Sequence, residues 1–212
     1  METINTKDIA SYEKRSWTRI INGLSGFKSV NLVGTVDLEG CENLSVISSF
    51  FHLGARPPMM GFVVRPHSDK SPRHTLLNLK EVGYYTMNAV NEKNHVEAHQ
   101  ASARYPSDVS EFEKTGLKSI YRNSFKAPYV DGSPIQVGLK LVEVKDVEHN
   151  GTHIVLGEIV EFHLAEGLLE EDGFVNLEAG GVLALSGLDS YHETQKVHRL
   201  SYAKPGVELR EF

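Results

Sequence analysis

Apolar residues recur with a two-residue period over much of the chain, and that period predicts strands. Val30 to Val36 forms one such stretch. Asp37-Leu38-Glu39-Gly40 supplies turn chemistry, and Asn43 to Phe51 reads as the return strand. Pro57-Pro58 interrupts the chain, and Met59 to Arg65 resumes as a short apolar strand. Pro66 to Arg73 holds two prolines and few apolar residues, so it reads as a loop. Tyr84 to Val90 is rich in aromatic and β-branched residues, which suit a pleated surface. The period is clearest from Ile135 to Leu164. Ile135, Val137, Leu139 and Leu141 alternate, and the phase then switches to Val142 and Val144. The switch predicts a bulge or a strand bent between two faces. Asn150-Gly151 predicts a two-residue hairpin turn. The return strand places Ile154, Leu156, Val160, Phe162 and Leu164 in one phase, with Gly157 in mid-strand, where a barrel corner or a close approach wants a glycine. Val197 to Tyr202 reads as a final strand.

The helical period is brief. Thr75 to Gly83 predicts a short helix with Leu76 and Leu79, and Leu77 beside them, facing inward and Gly83 at the C′ position. Glu92 to Ala103 and Val109 to Thr115 predict two more. The second is capped by Ser107 or Asp108 and ended by Gly116. The polar residues 1–14 are expected to be poorly ordered, leaving residues 15–212 as a single domain. Six or seven strands with few, short helices predict a mainly β fold, a small barrel with peripheral helices.

Composition narrows the function. The chain has 212 residues, enough for a sizeable core. Its 22 Lys and Arg against 28 Asp and Glu leave a net charge of −6, which argues against a general nucleic-acid binder. Cys41 is the only cysteine, so there is no intrachain disulfide framework and no multi-cysteine metal site. No apolar run approaches the ~18 residues of a membrane span, and the N-terminal residues show no signal-peptide pattern. A soluble cytoplasmic protein is the expectation.

Against this acidic background, the segment Arg65 to Thr75 is locally basic. It sets Arg65, Lys70 and Arg73 against Asp69 and adds His67 and His74. It ends where a helix is predicted to begin, and free backbone N–H groups there favour an anion. Thr75 adds a hydroxyl donor. A phosphate is the natural guest, with arginine able to grip it through two hydrogen bonds; a solvated basic loop with a helix cap is the plainer alternative. Asn43-Leu44-Ser45-Val46-Ile47-Ser48-Ser49-Phe50 is a second unusual stretch, since serine is poor strand material. Its hydroxyls and backbone suit hydrogen bonding to a flat heterocycle; the alternative is a half-exposed strand with polar residues outward.

Together these stretches, with Pro57-Pro58-Met59-Met60, Arg73-His74-Thr75-Leu76-Leu77-Asn78 and Tyr85-Thr86-Met87-Asn88, resemble the flavin reductase-like family, which includes the flavoredoxins. Tyr105 to Leu117, Ala127-Pro128 and His153 to Ile159 extend the resemblance over roughly residues 15 to 205. It implies an FMN-binding split β-barrel, normally a homodimer with flavin near the subunit interface. By similarity, Val46, Ile47, Ser48 and Ser49 would line the isoalloxazine and ribityl chain. Arg65, Lys70, Arg73, His74 and Thr75 would surround the phosphate, and part of Gly187 to Lys204 would reach the neighbouring subunit. The redox chemistry would belong to the flavin and not to a side chain. NAD(P)H or a reduced redox protein would supply the electrons. A non-catalytic FMN-binding module for storage or sensing is the rival reading. Related barrels that hold heme, deazaflavin or pyridoxamine phosphate form a third, which the basic loop disfavours for heme. Some reductases of the family carry Asp-His five to six residues before the barrel glycine. Here Thr152 stands five before Gly157 and His153 one further on. A one-residue offset in a strand reverses the face, and His153 is the candidate substrate-side residue on those terms.

Three further features have plainer readings. His95 and His99 are four apart on a predicted helix, with Glu97 between them, but no third ligand is evident, so no metal is expected. Glu158 falls among the apolar positions of its strand, and a buried carboxylate there needs a partner. Cys41 has no neighbouring histidine or second cysteine and reads as an inert thiol.

Overall fold

A computed structural model describes all residues except Glu2 and 68–71. After a 3₁₀ turn at Thr6–Ser11 the elements run α1 (Lys14–Leu24), β1 (Lys28–Ser29), β2 (Asn31–Val36), β3 (Glu42–Ile47), β4 (Phe51–Ala55), β5 (Pro58–Val64), α2 (His74–Val82), β6 (Tyr84–Ala89), α3 (His95–Gln100), α4 (Glu111–Thr115), β7 (Ser119–Ile120), β8 (Tyr129–Val130), β9 (Ile135–Val147), β10 (Thr152–Leu164), β11 (Ala184–Ser186) and β12 (Ser190–His192). Seven strands form one antiparallel sheet in the order β3-β2-β6-β9-β10-β5-β4. β1, β11 and β12 form a small second sheet, and β7 with β8 a third. The two ends of the large sheet, β3 and β4, are consecutive in the chain and joined by residues 48–50. That link spans at most about 14 Å, so the sheet must curl until its ends approach each other. Ser49 ties the seam: its Oγ accepts from the Val63 amide at 3.0 Å and donates to the Val63 carbonyl at 3.1 Å. The result is the expected mainly β split barrel.

Three apolar clusters hold it. Val33, Phe62, Tyr85, Leu139 and Val155 fill the concave side, where α2 seats Leu76 and Leu79. On the other face Leu32, Leu44 and Val90 pack with Ala98 of α3 and Phe112 of α4. Phe125, Ala127 and Tyr129 form the third, against Tyr84. Gly83 ends α2 at φ +73°, the left-handed backbone that favours glycine.

The long hairpin follows the sequence pattern closely on its first strand. Leu156 pairs with Glu143 and Gly157 with Leu141, so Val142 is the extra residue of a bulge, where the apolar phase switches. A second bulge leaves Val160 unpaired. On β10 the expectation was inverted near the centre. Val155, Gly157 and Ile159 face the core, whereas Val160 and Phe162 are exposed. Glu158 is exposed as well, opposite Lys140 across the ladder, and needs no buried partner.

Other differences are local. Asn43 to Phe51 is not one strand: β3 ends at Ile47 and β4 starts at Phe51. Leu77 is 40% exposed and does not join Leu76 and Leu79. α4 starts at Glu111 after Ser110, and neither Ser107 nor Asp108 caps it. Residues 197–202 form no strand; Leu200 bridges Glu211 in a loose terminal hairpin. α1 was not anticipated, and the polar N-terminal segment carries the 3₁₀ turn.

Candidate functional site

β3 is an edge strand, so one side of its backbone has no strand partner. At Leu44 the outward amide is met by the Glu111 carboxylate at 2.9 Å. Burial pushes that carboxyl up, against the amide hydrogen bond that stabilises its ionised form. By the two-residue period of a strand, Val46 turns its N–H and C=O to the same side as Leu44. Val46 borders a cleft of about 1050 Å³ that also receives Ile47, Ser48, Ser49, Arg65, Arg73, His74 and Thr75.

α2 opens into this cleft. Its N-cap is Arg73, whose side chain makes no capping bond. The ladder begins with the Leu77 amide on the Arg73 carbonyl. The amides of the first turn therefore have no helical acceptor. The Arg73 guanidinium is steadied by Nε donating to the Pro66 carbonyl at 3.2 Å, and its backbone amide donates to His67 Nδ1 at 3.1 Å. Burial, and then the charges of Arg104 and Arg65, push the Arg73 guanidinium down from its usual range. Behind the helix start lies a buried polar network. Asn43 Nδ2 donates to Thr35 Oγ1 at 3.2 Å and to Thr75 Oγ1 at 3.1 Å. Asn78 Nδ2 donates to Thr35 Oγ1 at 3.2 Å, and Ser45 Oγ lies 2.7 Å from Thr75 Oγ1. These bonds fix α2 against β2 and β3 and set the Thr75 hydroxyl at the cleft. Uncapped amides, two guanidiniums and hydroxyls make a donor set suited to a phosphate, next to a strand edge able to pair with a heterocycle.

The structure thus brings eight of the candidate residues together: Val46, Ile47, Ser48, Ser49, Arg65, Arg73, His74 and Thr75. The Ser49 hydroxyl is committed to Val63. Lys70 lies outside the described residues. His153 does not line the cleft; its Nδ1 pairs with Asp146 Oδ1 at 2.6 Å across the β9–β10 ladder. Sequence reasoning missed the opposite wall, made by Lys14, Arg15, Thr18 and Arg19 of α1 and by Ser102 to Tyr105. The i, i+4 recurrence of Lys14 with Thr18 and Arg15 with Arg19 was the available signal.

His95 and His99 pack against an aromatic ring. Their rings flank Tyr191 at 5.5 and 5.8 Å between centroids, and His99 Nδ1 bonds the Tyr191 hydroxyl at 3.1 Å. Among the described residues no three metal-ligating side chains cluster. Cys41 donates its thiol to the Ser107 carbonyl at 3.4 Å. Burial, then Asp37 and other acids, push that thiol up, which disfavours the reactive thiolate.

No helix is long and apolar enough to cross a membrane among the described residues. A Shewanella frigidimarina protein described as a flavin reductase with a split barrel domain is 45% identical and superposes with a TM-score of 0.91, covering 96% of this chain and 100% of that one. Nitrilotriacetate monooxygenase component B from Bacillus cereus shares the fold at 22% identity and a TM-score of 0.82, over 94% of this chain and 98% of its own. Flavoredoxin of Desulfovibrio vulgaris shares it at 21% and 0.69, over 85% and 92%. The flavin reductase like domain matches residues 25–185, and with the cleft and the curled seven-stranded sheet this establishes that the chain belongs to the flavin reductase like family.

Proposed function

We propose that this protein is an FMN-dependent oxidoreductase that passes electrons from a reduced nucleotide or redox protein through bound FMN to an acceptor. The observation that carries the reading is the uncapped start of α2, flanked by Arg65 and Arg73, in the same cleft as the open edge of β3. Arg65, Arg73, His74 and Thr75 hold the phosphate. The backbone of Val46 to Ser49 orients the ring system. When bound, the flavin supplies the redox chemistry. The chain binds it, orients it and leaves part of the cleft for a second molecule. The name of the flavoredoxin neighbour agrees with a bound flavin.

The protein acts as a homodimer. Val142, Val160 and Phe162, the last 60% exposed, leave apolar surface uncovered on the long hairpin, and an apolar patch of this kind marks an interface. Light scattering at micromolar concentration gives twice the 23.6 kDa chain mass; a monomer with flavin still bound refutes the dimer.

The test of the cofactor is FMN against riboflavin, which lacks the phosphate. One charge-assisted hydrogen bond contributes about 1.5–3 kcal/mol, so Arg73→Ala weakens FMN by roughly 10- to 150-fold and leaves riboflavin affinity unchanged. Equal affinity of the protein for the two flavins refutes the phosphate site. Anaerobic mixing of the FMN-loaded protein with NADH, NADPH and reduced redox proteins identifies the donor. Failure of every donor while dithionite bleaches the flavin leaves a binding module instead.

A further inference from the structure

Glu111 is a buried acid that no cation answers. It is 5% exposed and sits in the first turn of α4, with its carboxylate on the Leu44 amide. Among the described residues no Lys, Arg or His nitrogen lies within 4.0 Å of that carboxylate. The elements packed around it carry Glu42 on β3, Glu113 and Lys114 on α4, and Glu97 and His99 on α3. Cys41, just before β3, is near enough to feel the charges of Glu111 and Glu113. The Leu44 amide, the amide of Glu111 itself and the start of a helix all favour the ionised form, but burial outweighs them and pushes the carboxyl up. A buried carboxylate without a cation is costly. Satisfying the Leu44 amide takes an acceptor and not a charge, and a glutamine oxygen would serve. The hydrogen bond therefore does not explain why the residue is an acid.

Glu111 lines the cleft. Val46 lies two residues beyond Leu44 on the same strand edge, about 7 Å along it. The cleft has two other acids, Glu13 and Asp189. Both are exposed, and Asp189 has Arg19 at 4.0 Å, so water or a partner screens them. Arg65, Arg73 and Arg104 also line the cleft, with His74 beside them; their charges favour an ionised Glu111 from a distance. A phosphate-bearing ligand that fills the cleft changes both terms. It excludes water from the carboxylate, and its phosphate cancels the cations. Each change penalises the ionised form.

We infer that Glu111 is the proton-accepting group of this cleft: when the cleft fills, its carboxylate takes up one proton, so that ligand binding and protonation of Glu111 are coupled. The bond formed is O–H on a carboxylate oxygen, the proton comes from solvent, and nothing is oxidised or reduced. The inference rests on the flavin reading above. The acid that results holds a proton inside the cleft, shielded from bulk water.

The test is calorimetric titration of the full chain with FMN in buffers of different ionisation enthalpy, which counts the protons taken up. Glu111→Gln removes the titrating group and keeps an acceptor for Leu44. Protons that belong to the FMN phosphate or to His74 are common to both proteins and cancel in the difference. Between about pH 5 and 8.5 the parent takes up more protons than the variant, by up to about one. By linkage the parent's affinity falls across that range, about tenfold for each unit by which binding raises the carboxyl's pKa. The variant therefore binds FMN about tenfold tighter than the parent near pH 8.5 and equally well near pH 5. A carboxylate that only braces β3 gives the opposite result, a variant that binds more weakly at every pH with an unchanged proton count, and that overturns the inference. Equal proton counts at every pH, with FMN still bound, also overturn it and leave the flavin reading standing. FMN that binds neither protein overturns the flavin reading and the inference with it. If far-ultraviolet dichroism shows the variant unfolded, riboflavin on the parent replaces it, since riboflavin has no titrating phosphate. A loss of affinity of about tenfold from pH 5 to 8.5 then supports the coupling, and a flat profile overturns it.

Discussion

Gly157→Ala tests why a glycine stands in the inward phase of β10. A Cβ built there would lie 2.2 Å from Tyr85 Oη, 2.9 Å from its Cζ and 3.0 Å from its Cε1. Tyr85 cannot swing away. It is fully buried, its ring meets Phe62 edge-on at 5.7 Å, and its hydroxyl has no hydrogen-bond partner. Burial alone pushes that hydroxyl's pKa up, so it stays a neutral, unpaired group. Overpacking of this kind costs about 1–3 kcal/mol, and a 2.2 Å approach puts Gly157→Ala near the upper figure. For a chain of this size about 3 kcal/mol lowers Tm by roughly 6–12 °C. Tyr85→Phe deletes the atom at 2.2 Å together with a buried hydroxyl that bonds nothing, so alone it is neutral or stabilising by about 1 kcal/mol. In the double variant most of the alanine's cost disappears, a coupling of about 1–2 kcal/mol in a double-mutant cycle. Urea unfolding of the four proteins measures it. A Gly157→Ala protein within about 0.5 kcal/mol of the parent, or a cost that Tyr85→Phe does not reduce, refutes the contact as the reason for the glycine.

Three more outcomes follow from the same geometry. Leu139→Ala, at a fully buried position of the concave core, lowers stability by about 2–5 kcal/mol in chemical denaturation. Phe162→Glu places a charge on the exposed hairpin surface and converts the proposed dimer to monomer in light scattering without lowering the stability of the fold by more than about 0.5 kcal/mol. Burial alone would raise the Glu161 carboxyl, but hydrogen bonds from Tyr129 at 2.8 Å and His163 at 3.1 Å hold it below the usual range. A depressed folded pKa stabilises above the unfolded value of about 4.3 and loses that contribution as pH falls through the folded value; the stability gap between the parent and Glu161→Gln is therefore widest near neutrality and narrows below about pH 4.

Most of the sheet was legible because its signals are local. Asn150-Gly151 marked the place of the turn but not its length, since the loop between the paired Val147 and Thr152 holds residues 148–151, and the phase switch after Leu141 is the bulge at Val142 itself. β10 was misread for a non-local reason. The inward position that a bulky residue would normally mark is Gly157, and the space is filled by Tyr85 from β6, far away in sequence. With that marker missing, the outward residues Ile154 and Leu156 looked like the core phase. The basic loop and the serine-rich strand could be picked out by composition, and the curl of the sheet brings them to one cleft. The α1 wall was harder to see, because the i, i+4 recurrence of Lys14 with Thr18 and Arg15 with Arg19 reads as any solvated helix face until the fold sets it on the cleft. The fate of His95 and His99 was equally hidden, since Tyr191 lies more than ninety residues away.

The Glu111 carboxylate on the Leu44 amide has a consequence for handling the protein. An edge strand recruits other strands, and proteins blunt such edges with charge or by covering them. Here α4 and its carboxylate close the edge at Leu44, and a half-buried stretch is left from Val46 on, where the flavin is proposed to sit. On that reading the ligand completes the protection against intermolecular β-pairing. Stripping it away would leave a short, unguarded template, so preparations depleted of flavin should cloud and sediment first on concentration, and adding FMN before concentrating should keep them clear.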